Sequence, residues 1–226
     1  MQSTFPHSMN DLTIIFDMDG VILDSEKVYQ EIERQMYAEL GISITPQEHQ
    51  KFMGTSERSM WTLIKGKYKL EQEVEALIRE ERERFLTTLG TPGSIPLMEG
   101  LLPLLESLRK AGIPLWLASS SAREIIDKVV DIKGLRKYYE GIVSGDDVKH
   151  SKPSPEIFLL AAKLAGNDPS RCLVIEDSEN GIRAARAAGM TVVALRDPES
   201  PPLDLSGAHL IIDSLTEFDA EKILEM

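Results

Sequence analysis

The sequence predicts an α/β protein: a doubly wound, mainly parallel sheet interrupted near its start by an all-helical insertion. Three observations carry this. Stretch 12–16, Leu-Thr-Ile-Ile-Phe, is a short apolar run suited to a strand buried on both faces, and it ends abruptly in Asp17-Met18-Asp19-Gly20. From residue 99 onward, apolar runs of strand length alternate with helical patterns, and twice a helix closes in Ala-Gly just before a buried run. Residues 26–92 between them show helical periodicity and no comparable strand. The predicted division is a core of 1–25 and 93–226, with a helical unit of 26–92 inserted after the first strand.

In chain order, Val28, Tyr29, Ile32, Met36 and Leu40 form one apolar helical stripe. Thr45-Pro46-Gln47-Glu48 has the spacing of a capping box with proline at the first helical position. A helix carrying Met60, Trp61 and Ile64 is expected after Gly54-Thr55-Ser56, and a longer one over 71–89 with Val74, Leu77, Ile78, Phe85 and Leu89 on one side. Its mixed-sign run 79–84 reads as a solvated face, as do Lys65, Lys67 and Lys69. Beyond the Pro/Gly break at 91–96 come a helix over 100–111 and a strand over 114–118 ending in Ser119-Ser120-Ser121. Ser121 and Glu124 have capping-box spacing for the next helix. A short strand over 141–144 follows, then Lys152-Pro153-Ser154-Pro155, with Ser154 the expected N-cap. A strand over 172–175 ends in Glu176-Asp177. A helix from 178, strands over 191–195 and 209–212, and a last helix from Thr216 complete the reading.

Composition narrows the function classes. At 226 residues the chain can bury a sizeable core, and its 42% apolar content is ordinary. Its apolar runs are too short to span a membrane. A formal charge of -12 argues against nonspecific nucleic-acid binding, which needs lysines and arginines to neutralise phosphates. It leaves room for a small anionic substrate, because a local cation inverts the field inside a cleft. The single cysteine, Cys172, excludes an internal disulfide and reads as a buried thiol in an apolar strand. His7, His49, His150 and His209 lack metal-site spacing and read as structural or exposed. No secretory signal is visible at the start, so the cytoplasm is the expected location, with a monomer as the default state.

Each strand end carries polar residues suited to a phosphate and a metal, on the edge where open α/β sheets bind ligands. Asp17 and Asp19, two apart on an extended backbone, project to the same side. Ser119 and Ser120 offer hydroxyls beside a helix start for phosphate oxygens. Lys152 offers a point charge for phosphate or aspartate. Glu176 and Asp177 offer hard oxygen ligands suited to Mg²⁺ alongside Asp17.

Together, Asp17-Met18-Asp19-Gly20-Val21, Leu117-Ala118-Ser119-Ser120, Lys152-Pro153 and Ile175-Glu176-Asp177-Ser178 resemble the four ordered motifs of the haloacid dehalogenase superfamily. The helical insertion resembles the cap of its β-phosphoglucomutase-like phosphatases. The resemblance implies a Rossmann-like core under that cap and a Mg²⁺-dependent phosphatase acting on a small phosphorylated metabolite, most simply a sugar phosphate. By it, Asp17 is the nucleophile that forms an aspartyl-phosphate, and Asp19 is the acid and base. Asp17, the Asp19 carbonyl, Glu176 and Asp177 hold the metal. Ser119 binds the phosphoryl group, and Lys152 neutralises it and Asp17. The family's dehalogenases lack an aspartate at the second position, so Asp19 points to phosphoryl transfer.

Two alternatives stand beside this. A β-phosphoglucomutase-like enzyme returns the phosphoryl group to a sugar. Its pattern has a threonine and, four residues on, a histidine where this chain has Ser25 and Tyr29, and a cap arginine where this chain has Glu57, with Arg58 shifted by one. A phosphoaspartate receiver shares the sheet and the acidic site, but it has no cap and carries its acceptor on the third strand. Arg58 and Arg123 are the candidates for gripping a distal anion on the substrate.

Overall fold

The computed structural model describes residues 12–49, 55–198 and 202–219. Six strands form one all-parallel sheet: β1 (Thr13–Phe16), β2 (Leu115–Ala118), β3 (Gly141–Val143), β4 (Cys172–Glu176), β5 (Thr191–Leu195) and β6 (Leu210–Ile212), in the order β3-β2-β1-β4-β5-β6. The order reverses direction beside β1. That is the switch point at which a crevice opens outside the carboxyl ends of the strands.

Strand periodicity sorts the core into two layers. Ile14 and Phe16 of β1 face one side with Leu117 and Ile175, against α5 (Leu101–Lys110) and α6 (Arg123–Ile132). Ile15 faces the other with Trp116 and Val174, against α7 (Glu156–Ala165) and α8 (Glu179–Ala187). Because both faces are covered, the strands read as continuous apolar runs rather than alternating ones. Each fully buried side chain of this size contributes about 1.5–3 kcal/mol.

Between β1 and α5 lie α1 (Glu26–Glu39), α2 (Pro46–His49), α3 (Glu57–Tyr68) and α4 (Val74–Leu89), with no strand among the described residues. α4 packs against α1 and α3 and reaches α6 of the core. Met36, Trp61, Phe85 and Leu89 join the apolar layer that covers the first sheet face. The two passages joining helices to core run side by side. Leu23 bridges Leu97, Asp24 N–H donates to Pro96 O at 3.0 Å, and Met98 N–H donates to Ile22 O at 3.0 Å.

Several expectations at the element ends are corrected. The long helix begins at Val74, not 71, and the helix after Lys152-Pro153 begins at Glu156, with Pro155 rather than Ser154 at its cap position. Ser121 does not cap α6, whose N-cap is Ala122 with no side-chain bond, because its hydroxyl is engaged elsewhere. In place of a helix from Thr216 there is a single 3-10 turn, Leu215–Glu217, and residues 220–226 lie outside the described residues, as do His7 and Gly54. The run 79–84 is not a uniformly solvated face. Glu81 is buried and accepts the Trp61 indole N–H at 2.7 Å, and Arg82 forks onto Glu57.

Candidate active site

The β1–β4 register places Phe16 opposite Ile175, so the next residues, Asp17 and Glu176, emerge side by side. Lys152, from the loop after β3, lies buried between them and donates to Asp17 Oδ1 at 2.5 Å and to Glu176 Oε1 at 2.7 Å. The second Glu176 oxygen accepts the N–H groups of Asp177 (2.8 Å) and Ser178 (2.7 Å) and the Ser178 hydroxyl (3.0 Å). Close backbone approach makes this possible. A Cβ on Gly181 would lie 1.6 Å from Glu176 Oε1, and one on Gly20, whose φ is +75°, would lie 2.0 Å from Asp177 Oδ2.

Asp17, Glu176 and Asp177 each offer a carboxylate oxygen, all within 4.8 Å of one another. Burial pushes the Asp17 carboxyl up to about 7, with Lys152 opposing the shift and Glu176 and Asp19 adding to it. Burial, then Glu176 and Asp17, raise Asp177 well above its ordinary value. Burial alone would lower the Lys152 pKa, but the Asp17 and Glu176 charges outweigh it and raise it. Three carboxyl groups crowded around one ammonium, two of them with raised pKa values, are hard oxygen donors that suit a divalent cation.

The Asp19 carboxylate is held by hydroxyl groups. Its Oδ1 accepts from the Ser25 hydroxyl at 2.6 Å and its Oδ2 from the Ser121 hydroxyl at 3.0 Å. Burial raises its pKa, against the lowering effect of the two serines. Sequence reasoning assigned Ser121 to a cap and gave Ser25 no role. That both converge on Asp19 is a tertiary fact with no local signal.

A cavity of about 150 Å³ opens over these groups, lined from the core by Asp17, Asp19, Ser119, Ser120, Lys152 and Asp177. Helices α1, α3 and α4 close it with Tyr29, Glu33, Glu57 and Glu81, and His49 adds to the wall. The Ser119 hydroxyl oxygen also accepts Ser121 N–H at 3.1 Å. Glu33 and Glu81 escaped the sequence reading, although a signal existed. Each sits at core-facing helical spacing, Tyr29-Glu33-Met36 and Leu77-Glu81-Phe85, where an apolar residue is expected.

Arg58 is not brought to this cavity. It pairs with Glu75 at 2.5 Å on the surface and lines a wider neighbouring cleft of about 1060 Å³ that also reaches Ser120 and Lys152. Arg123 lines neither space; its guanidinium donates to Ile142 O at 2.9 Å and pairs with Asp147 at 2.6 Å.

A switch-point crevice holding clustered carboxylates, a buried lysine and strand-end serines defines an α/β enzyme of phosphoryl chemistry. A sequence model described as haloacid dehalogenase-like hydrolase matches residues 12–189. The chain is 33% identical to the fructose-1-phosphate phosphatase YqaB of Escherichia coli, over 81% of this chain and 95% of that protein. It is 32% identical to the bifunctional riboflavin kinase/FMN phosphatase of Arabidopsis thaliana over 92% of its own length, but spans 55% of that longer protein. Among solved structures, the β-phosphoglucomutase of Clostridium difficile matches with a TM-score of 0.82 at 27% identity, over 94% of this chain and 95% of that one. The chain belongs to the haloacid dehalogenase-like hydrolase family. Among the described residues no helix is long and apolar enough to cross a membrane.

Proposed function

We propose that the protein is a Mg²⁺-dependent phosphatase that hydrolyses a small sugar phosphate through an aspartyl-phosphate on Asp17. The observation that carries this is the division of labour between the two aspartates. Asp17 is charge-paired with Lys152 at the switch point, while Asp19 is held by two hydroxyls on the cavity side.

In this reading an Asp17 carboxylate oxygen attacks phosphorus and the bond from phosphorus to the substrate oxygen breaks. Asp19, whose pKa burial raises, gives its proton to the departing alcohol. Ser25 and Ser121 then stabilise the carboxylate that remains. Asp19 next takes a proton from water as the water oxygen attacks phosphorus, which breaks the bond to Asp17 and releases phosphate. Ser119, Ser120 and Lys152 hold and neutralise the phosphoryl oxygens throughout. Mg²⁺ would be held by Asp17, Asp177, the Asp19 carbonyl and Glu176. Bound there, it offsets the negative charge that otherwise repels substrate from nucleophile.

The helices of 26–92 serve as the cap over this chemistry, joined to the core at the paired passages near residues 23–25 and 93–98. Water rather than a second sugar hydroxyl is the acceptor. The positions of the mutase gate and phosphate clamp hold Tyr29 and Glu57, and Glu57 is tied to Arg82 at 2.5 Å. Incubation with β-glucose 1-phosphate, a bisphosphate primer and Mg²⁺ tests the choice. Free phosphate is expected; accumulation of the isomeric sugar phosphate would make the protein a mutase.

A further inference from the structure

The small cavity and the neighbouring cleft share Thr55, Glu57, Ser120 and Lys152 in their walls, while Asp17 and Asp19 line the cavity and not the cleft. A phosphoryl group held by Ser120 and Lys152 therefore sits where the two spaces meet, and its leaving group borders both. Only on the cavity side does the departing oxygen meet Asp19.

An ion pair stands at that boundary. Glu57, in the first turn of α3, lines both spaces, and Arg82, on α4, lines the cleft. The Arg82 guanidinium forks onto the Glu57 carboxylate, with Nε at 2.8 Å and Nη2 at 2.5 Å from Oε2, and Nε at 3.1 Å from Oε1. Two donors on one carboxylate fix the plane of the pair as well as its distance. The Arg82 and Glu57 side chains are 30% and 16% exposed, against 65% and 60% for Arg58 and Glu75 in the same cleft. The first pair is part of a wall and the second is a solvated surface contact. Burial works against both charges of the fork, raising the Glu57 carboxyl and opposing the guanidinium, and the hydrogen bonds between them answer it on each side. Asp146 and Glu124 of the core add to the hold on Arg82, so the pair is anchored from the core as well as from two helices of the cap. The helix start that carries Glu57 is fixed too, since the Ser56 hydroxyl accepts the Ser59 N–H at 3.3 Å.

The spaces on either side differ in size, about 150 Å³ for the cavity and about 1060 Å³ for the cleft. An alcohol confined to the first is small, whereas one that passed Glu57 would have room for a bulky ring system. We propose that the Glu57–Arg82 fork is a partition that sets leaving-group size, keeping the departing alcohol beside Asp19 and out of the cleft. This rests on the phosphatase reading and deepens it. Glu57 is the specificity-determining residue, and Arg82 positions it.

FMN and ribitol 5-phosphate present the same primary carbon and differ by the isoalloxazine ring, so phosphate release from the two compares leaving groups by size. With Mg²⁺ present, ribitol 5-phosphate is expected to exceed FMN in kcat/KM by about tenfold or more. In Glu57→Ala, in Arg82→Ala and most of all in the double variant, kcat/KM for FMN should rise about tenfold or more, while that for ribitol 5-phosphate changes by less than about threefold. A merely structural loss lowers both substrates together and leaves their ratio where it was. Arg82→Lys, which keeps the charge and loses the fork, is expected to move the ratio in the same direction and serves if circular dichroism shows the alanine variants unfolded. Parity of the two substrates in the parent protein would overturn the inference. So would FMN hydrolysis that fails to rise in every folded variant. p-Nitrophenyl phosphate assayed alongside keeps the two claims apart: its release with an unmoved ratio removes the partition alone, whereas no release from it by the parent protein removes the phosphatase reading.

Discussion

Asp19 and Glu81 are both carboxyls raised by burial, and their surroundings give them different tasks. Asp19 meets two hydroxyl donors and the cavity, so it can lose its proton and keep the resulting charge stabilised. Asp19→Asn is therefore expected to slow hydrolysis of alkyl phosphates far more than of aryl phosphates, whose leaving groups need no proton. Equal losses in kcat for the two substrates would remove Asp19 from the acid role. Glu81 meets an indole N–H and another carboxyl, and burial with the nearby Glu33 and Glu57 charges raises its pKa well above the ordinary value. Above its ordinary value of 4.5 the unfolded chain gives the Glu81 proton up while the folded chain retains it, so folding stability falls as pH rises. Glu81→Gln keeps an acceptor for Trp61 and removes the ionisation. Its melting temperature relative to the parent protein should climb from about pH 5 to about pH 8, and a constant difference would mean Glu81 is ionised in the fold.

At the scale of elements, the strand ends place the chemistry and two glycines let the elements close around it. Gly181, in the first turn of α8, lies where a methyl group would strike the Glu176 carboxylate. Gly181→Ala is expected to displace that carboxylate, lose Lys152 alignment, and cost about 1–3 kcal/mol in stability, read by denaturant unfolding, together with most of the activity. Full activity would mean Glu176 does not set the Lys152 position. The strands and the order of the motifs were legible because both depend on short-range pattern: a buried parallel strand is a continuous apolar run, and Asp17-x-Asp19 or Glu176-Asp177 must follow it directly. Helix starts were less legible, since Ser121 has the spacing of a cap yet finds Asp19 across the fold. The face of α4 was misread because alternating signs at 79–84 resemble a solvated surface. Glu81 and Arg82 are instead held by Trp61 and Glu57, residues on α3 that no local pattern connects to them.

For the molecule as a whole, a net charge of -12 coexists with an anionic substrate because the field at the site is set locally. Lys152 supplies one positive charge against Asp17, Glu176 and Asp177, and on the proposed reading a divalent cation completes the balance. Chelation by EDTA should abolish phosphate release, and added Mg²⁺ should restore it with the fold unchanged by circular dichroism. Undiminished turnover in chelator would remove the metal from the account. The central claim is that Asp17 becomes covalently phosphorylated during each turnover. Acid quenching during steady-state hydrolysis, followed by peptide mass analysis, reads this directly. One phosphoryl group is expected on the peptide containing Asp17, absent in Asp17→Asn, which should release no phosphate. A quenched enzyme with no phosphoryl group on that peptide, together with an active Asp17→Asn variant, would contradict the account.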